Sequence, residues 1–374
     1  MKEEVILKVE EKNPELTINK ILIQLLEGKL VDAVLVPSQT KSGDSLIPTL
    51  VKDSKFLEQA HPLASVLQTS AAILVSNITR LQPSPKKAAV VLKPCEMRAL
   101  VELVKLKQAS LKNIITIGVE CWGTFSVPDY KEISSKKEQP EKRLMGAARV
   151  GKDDEKIRTS CLVCEYPIPQ NTDLAIGLLG LDPEKELALK ANSKYGSEIL
   201  EKLKVSTIGS KGKGVREKAI KDLIEKRKTS AEKMMKRVKE EFQGIDSLDD
   251  FYSACINCHN CMKVCPICYC RECFFESPTF DYPAEKYLQK LSKKGALRMP
   301  ADKMLFHLGR MIHVSLSCVD CGLCEQACPA DIALLKIYKA VGRDVRELFD
   351  YLPGRSPEEE LPLKTFEPEE LSPR

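Results

Sequence analysis

The side chains in this chain best suited to chemistry are its 15 cysteines. Cys255, Cys258, Cys261 and Cys265, closed by Pro266, follow the spacing C-x2-C-x2-C-x3-C-P. Cys318, Cys321, Cys324 and Cys328, closed by Pro329, repeat it. This is the spacing of paired [4Fe–4S] sites, in which three thiolates of a run hold one cube and the fourth reaches the other. Two-residue gaps curl the backbone round one corner of a cube, and the last Cys, held before proline, is directed away to the neighbouring cube. Zinc sites typically pair two C-x2–4-C or Cys/His arms, so two complete runs favour iron.

Four further thiols make a second constellation. Cys161 and Cys164 form a C-x-x-C pair, and Cys95 and Cys121 each follow a short apolar segment. Four thiolates are what one cube needs, and a third cluster is expected on Cys95, Cys121, Cys161 and Cys164. A zinc site with the same ligands stays open, because spacing does not separate the two. Three clusters leave Cys268, Cys270 and Cys273, either as shields around a cluster or with one of them replacing Cys265. His259, His307 and His313 read as surface or packing residues rather than ligands.

The elements that must carry these thiols follow from the apolar pattern. Ala88–Leu92 and Asn113–Val119 read as buried strands, with a helix over Cys95–Gln108 between them. Strand, helix, strand is a right-handed crossover between parallel strands. It puts Cys95 and Cys121 at the carboxyl edge of the sheet, where α/β proteins bind ligands. Upstream, Asn13-Pro14 reads as a helix start ended by Gly28. Residues 31–36 read as a strand ended by Pro37, 38–55 as loop and 63–79 as helix. Asp173–Gly180 reads as a strand into a turn. Residues 182–244 read as charged helix with a break at 209–214, 246–254 as a helix leading into the first run, and 284–294 and 301–315 as helices. The long spacer between the runs suits a helical rather than a compact β-type ferredoxin. The expected fold is an α/β core with a partly parallel sheet, plus an all-α ferredoxin-like domain carrying two clusters. The expected units are a core at 1–185, a basic helical insertion or linker at 186–245, the ferredoxin domain at 246–350 and an extended tail at 351–374.

Composition narrows the class. A length of 374 residues allows two or three domains. No apolar stretch approaches the roughly 18 residues of a membrane span, and the charged start Met1-Lys2-Glu3-Glu4 lacks a signal-peptide core. Many cysteines without a secretion signal point to a reducing, cytoplasmic setting. The net charge of +5 is unevenly placed: residues 190–240 hold 16 Lys/Arg against 7 Asp/Glu. Without interleaved aromatics or a nucleic-acid motif, that segment reads as a solvated helical face or docking surface.

Three segments carry a resemblance to a known family. They are Val91-Leu92-Lys93-Pro94-Cys95-Glu96-Met97-Arg98, Ile117-Gly118-Val119-Glu120-Cys121-Trp122-Gly123-Thr124-Phe125, and Cys161–Cys164 with Asp173–Gly180. Together they resemble the coenzyme F-420 hydrogenase/dehydrogenase beta-subunit family. With Cys-Pro-Ile-Cys-Tyr-Cys at 265–270, the chain is most similar to the formate dehydrogenase beta subunits within it. The resemblance covers roughly residues 15–185 and 250–345. It implies FAD on the α/β core, a [4Fe–4S] cluster beside the flavin, and hydride exchange with the deazaflavin coenzyme F-420. It also implies a catalytic alpha subunit as partner, and a heterodisulfide reductase or hydrogenase as a further one. By position, Lys93, Glu96, Arg98, Gly123 and Thr124 are the expected flavin contacts, and no residue is expected to act as acid or base. No G-x-G-x-x-G fingerprint indicates a dinucleotide site. The competing expectation is an electron-relay adaptor without flavin.

Overall fold

The computed structural model describes residues 4–208 and 213–362. Among them, eight strands form one sheet: β1 (Glu4–Lys8), β2 (Ala33–Gln39), β3 (Leu46–Val51), β4 (Ala88–Leu92), β5 (Ile114–Val119), β6 (Leu174–Gly177), β7 (Glu186–Ala191) and β8 (Thr207–Ile208). Their order is β3-β2-β4-β5-β6-β7-β1-β8. The central strands β2, β4, β5 and β6 are parallel, and the strands beyond them pair antiparallel. The sheet carries α1 (Pro14–Glu27), α2 (Ala71–Thr79), α3 (Pro94–Lys105), α4 (Val127–Ser135), α5 (Pro140–Arg149), the single turn α6 (Thr159–Leu162) and α7 (Lys194–Lys202). A long helix, α8 (Lys213–Glu241), leads to α9 (Ile245–Phe251), α10 (Asn260–Lys263), α11 (Ala284–Lys294), α12 (Lys303–Val314), α13 (Leu323–Gln326) and α14 (Leu334–Leu348).

The strand chemistry explains the layers. β4 and β5 are buried along their whole length, as strands covered on both faces must be. Their side chains alternate between two cores. Ala89 and Val91 join α1 and the β5–β6 interior on one face. Ala88, Val90 and Leu92 join α3 on the other, and this second core continues without a break into Phe306, Met311, Ile337 and Tyr338 of the helical module. Sheet and ferredoxin module therefore share one apolar interior.

The β4–α3–β5 crossover matches the expected unit, and α1 starts with Asn13 accepting from the Leu16 amide at 3.2 Å. Several expectations need correction. β2 continues through Pro37, because its ladder to β4 ends at Leu35 and the missing N–H breaks nothing. The expected loop at 38–55 contains β3, an edge strand in which Pro48 faces Pro37. The helix expected from residue 63 begins at Ala71, where Ser70 accepts from the Ala72 amide. Residues 186–208, expected as helix, form β7, α7 and β8 of the sheet. The break expected at 209–214 falls largely on residues outside those described. So do residues 363–374 of the expected extended tail; before them, Tyr351, Pro353, Gly354 and Glu359 bond to Arg98, Glu102 and Lys105 of this chain's own α3, and the Asn171 side chain donates to the Gly354 carbonyl at 2.9 Å.

Candidate metal centre

The two cysteine runs fold alike. Asn257 and His259 in the first, and Asp320 and Gly322 in the second, take the left-handed backbone conformation at equivalent positions. Each pair of turns throws the chain round a concave corner and opens a one-turn helix, α10 or α13, that carries the third cysteine, Cys261 or Cys324. The fourth cysteine follows with its amide bonded three residues back, Cys265 to Met262 and Cys328 to Glu325.

The electrostatics of the fourth thiols run in a crossed pattern. Cys255 and Cys261 each feel the charge of Cys328, while Cys318, Cys321 and Cys324 each feel that of Cys265; Cys261 also feels Cys324, and Cys321 also feels Cys95. The crossed pattern is the one expected when each run lends its last thiolate to the other's cube. Cys268 sits against Cys265 and donates to it. This bond, aided by Arg310 against the effect of burial, brings the Cys265 thiol down to about 5. Burial pushes the Cys261 thiol up to about 12. The Asn257 amide donates to Cys255 Sγ at 3.4 Å.

Cys95, Cys121, Cys161 and Cys164 line one cavity at the carboxyl edge of β4 and β5, together with Lys93, Gly123, Thr124, Arg158, Arg227 and Cys321. Cys95 opens α3, and Cys161 and Cys164 come from α6 and the residues after it. Gly123 has φ +122°, and a Cβ there would press on Cys161. Its amide donates to Cys121 Sγ at 3.4 Å. Arg158 Nε donates to Thr124 Oγ1 at 2.9 Å and its Nη2 reaches Cys161 Sγ at 3.7 Å. Burial and the neighbouring carboxylate and thiols push Cys95 well up, and burial takes Cys164 to about 11. Against burial, Arg158 and Thr124 hold Cys161 below its ordinary value.

These donors fit a cube. Four thiols surround one cavity, and buried Nη1 atoms of Arg158 and Arg227 have no hydrogen-bond partner. Two cations with spare donors suit an anionic all-thiolate cluster. Among the described residues, no three His, Cys, Asp or Glu side chains converge on a single-ion point.

Comparison with known proteins agrees with this geometry. Residues 251–332 match a 4Fe-4S dicluster domain, and residues 85–212 match the family that comprises the C-terminal part of the coenzyme F420 hydrogenase/dehydrogenase beta subunit. The chain is 30% identical over 358 residues to the F420-dependent formate dehydrogenase subunit beta of Methanocaldococcus jannaschii, covering 88% of this chain and 89% of that protein. It belongs to the coenzyme F420 hydrogenase/dehydrogenase beta-subunit family. It is also 27% identical over 361 residues to the F420-dependent formate dehydrogenase 1 subunit beta of Methanococcus maripaludis, covering 88% of each. A chain in a structure of the F420-reducing [NiFe] hydrogenase complex from Methanosarcina barkeri aligns with TM-score 0.45 and 15% identity, over 65% of this chain and 93% of that one.

As a member of this oxidoreductase-subunit family, the chain is an iron–sulfur electron-transfer subunit. Of the expected flavin contacts, Lys93, Gly123 and Thr124 line the thiol cavity, whereas Glu96 and Arg98 do not. Glu96 accepts from the Ala71 amide at 2.7 Å and the Lys93 amide at 2.9 Å. Arg98 donates to the Pro353 and Val319 carbonyls at 2.9 and 3.3 Å and lies over the Tyr166 ring. His307, expected only to pack, does so and also lies 3.2 Å from Cys255 Sγ. Sequence reasoning missed Arg158 and Arg227. Arg158 could have been found as a cation three residues before Cys161. Arg227 arrives from the distant α8, and no local signal marks it. Among the described residues no helix is long and apolar enough to cross a membrane.

Proposed function

We propose that this chain carries electrons between a formate-oxidising partner and coenzyme F-420, using three [4Fe–4S] clusters and FAD. The reading rests on one observation: the cavity of the sheet-edge thiols adjoins both the second cysteine run and a larger cavity. Cys321 of the second run lines the cavity of Cys95, Cys121, Cys161 and Cys164. That cavity shares Trp122, Leu223 and Arg227 with a second one of about 520 Å³, lined also by Arg149, Lys152, Leu178 and Gly180.

In this assignment Cys255, Cys258, Cys261 and Cys328 hold the outermost cube, and exposed Cys258 turns it towards the partner. Cys318, Cys321, Cys324 and Cys265 hold the middle cube. The sheet-edge thiols hold the third. FAD would be held at the larger cavity, where Trp122, Arg149 and Lys152 are lining residues that would contact it. When bound, clusters pass electrons singly and a flavin exchanges them in pairs with a hydride acceptor, so their junction converts one mode into the other. The protein's part is to fix positions and shape the electrostatics. A hydrogenase or heterodisulfide reductase is a further partner.

Metal analysis and spin-resonance counting of the native complex should give about twelve irons for this subunit. Acid denaturation should release one FAD, and formate should reduce coenzyme F-420. About eight irons would remove the sheet-edge cube. Absence of flavin would leave a relay adaptor.

A further inference from the structure

Arg310 lies on α12, in the spacer between the cysteine runs, and the ligand pattern assigns it no task. It is 3% exposed. Its positive charge acts on the thiols of Cys265, Cys268, Cys324 and Cys261, and those of Cys265, Cys324 and Cys261 act on it. It stacks over the Tyr338 ring, 4.6 Å from the centroid. Its Nε and Nη1 are buried without a hydrogen-bond partner. Among the described residues no carboxylate forms an ion pair with it.

A buried guanidinium without a carboxylate is costly unless another anion compensates it. The thiols around Arg310 come from both crossed sets: Cys265 and Cys324 from one, Cys261 from the other. A cube that gains one electron becomes one unit more negative, and a cation fixed in a low-dielectric interior favours that form. We propose that Arg310 is a positioning residue shared by the two ferredoxin cubes, whose fixed charge raises both reduction potentials together. His307, one helical turn earlier, touches Cys255 alone and acts on one cube. A shared charge keeps neighbouring potentials matched, which suits a relay that must run without a deep trap. The inference rests on the proposed occupancy of both runs.

The test is spin-resonance-monitored redox titration of the native complex carrying Arg310→Met or Arg310→Lys, with iron content measured first. A wild-type complex lacking two ferredoxin-type signals would sink the occupancy reading, separately from this one. With wild-type iron, Arg310→Met should move both ferredoxin midpoints to more negative values, while Arg310→Lys stays closer to wild type. Iron-free Arg310→Met protein should also resist denaturant better than iron-free wild type, because an uncompensated charge is gone. Unchanged midpoints at full iron, or movement of one cube only, would overturn the proposal. If Arg310→Met loses iron, Arg310→Lys decides: retained iron with near-native midpoints supports the role of charge. Loss of iron in both variants would make Arg310 a packing residue and overturn it.

Discussion

His307 Nε2 lies 3.2 Å from Cys255 Sγ, with the imidazole stacked on Tyr252 at a centroid distance of 4.0 Å. Burial, reinforced by the Arg310 charge, lowers this histidine to about 3, which favours the neutral ring. Its Nδ1 is buried without a partner, which assigns the proton to Nε2, pointing at sulfur. A hydrogen bond to a thiolate counts for more as negative charge accumulates on it. His307→Phe keeps the stack and removes the donor. The outermost cube should titrate about 30–60 mV lower, roughly the difference expected from losing a modest charge-assisted bond in a one-electron couple. The other two cubes should not move, and iron content should be unchanged.

Gly322 tests the seam between the modules. Its φ is +71°, and an added Cβ would overlap the Cβ and Oγ of Ser160, next to Cys161. Gly322→Ala should destabilise the protein by about 2–4 kcal/mol, combining left-handed strain with overpacking. Thermal melts should show the loss, and a Ser160→Gly background should recover part of it.

Glu102 anchors the strap at residues 351–354. Its carboxylate accepts from Tyr351 OH at 2.6 and 2.8 Å and from the Gly354 amide at 2.8 Å, and it pairs with Lys105 at 3.0 Å. Tyr351→Phe leaves a fully buried carboxylate short of a donor, and Lys105 Nζ loses the hydroxyl 2.8 Å away. The expected cost is about 1–3 kcal/mol in denaturant unfolding. Cysteines at the ligand positions should keep their iron at low denaturant.

His61 supplies a pH dependence. Burial opposes its protonation, but Glu15, 3.2 Å away, and Glu141 outweigh burial and raise its pKa above 6.5. A raised folded pKa means that this stabilisation is fully present below about pH 6.5 and is lost as pH rises through the raised value. Glu15→Gln should remove that slope, a change below about 1 kcal/mol for a partly exposed pair. Denaturant midpoints of both proteins between about pH 5.5 and 8.5 measure it. The opposite contribution of buried His307 is common to both and cancels.

Local patterns in the chain revealed the parts whose rules are local. The ferredoxin spacing announces its turns and one-turn helices, and the unbroken apolar runs Ala88–Leu92 and Ile114–Val119 announce central parallel strands. Ala284–Lys294 reads as a helix from its stripe alone. Edge strands were less visible: Pro48 in β3 argues against a strand unless its edge position is known. The charges of β7, Glu186 and Lys190, disguised a strand inside a basic segment. The spacing alone raises the expectation that Cys265 and Cys328 are exchanged between the runs. The arrival of Arg158, Arg227 and Arg310 at the thiols is tertiary, as is the diversion of Glu96 and Arg98 into structural bonds.

Helix α3 has one last implication. Its first turn presents Cys95, while Arg98 and Glu102 on the same rod grip the carbonyl of Val319 and the strap at 353–354. No joint separates the sheet-edge thiols from the second run. With clusters at both sets, as proposed, tunnelling between them would be set by a built-in gap rather than by a swinging arm, and its rate should be indifferent to solvent viscosity.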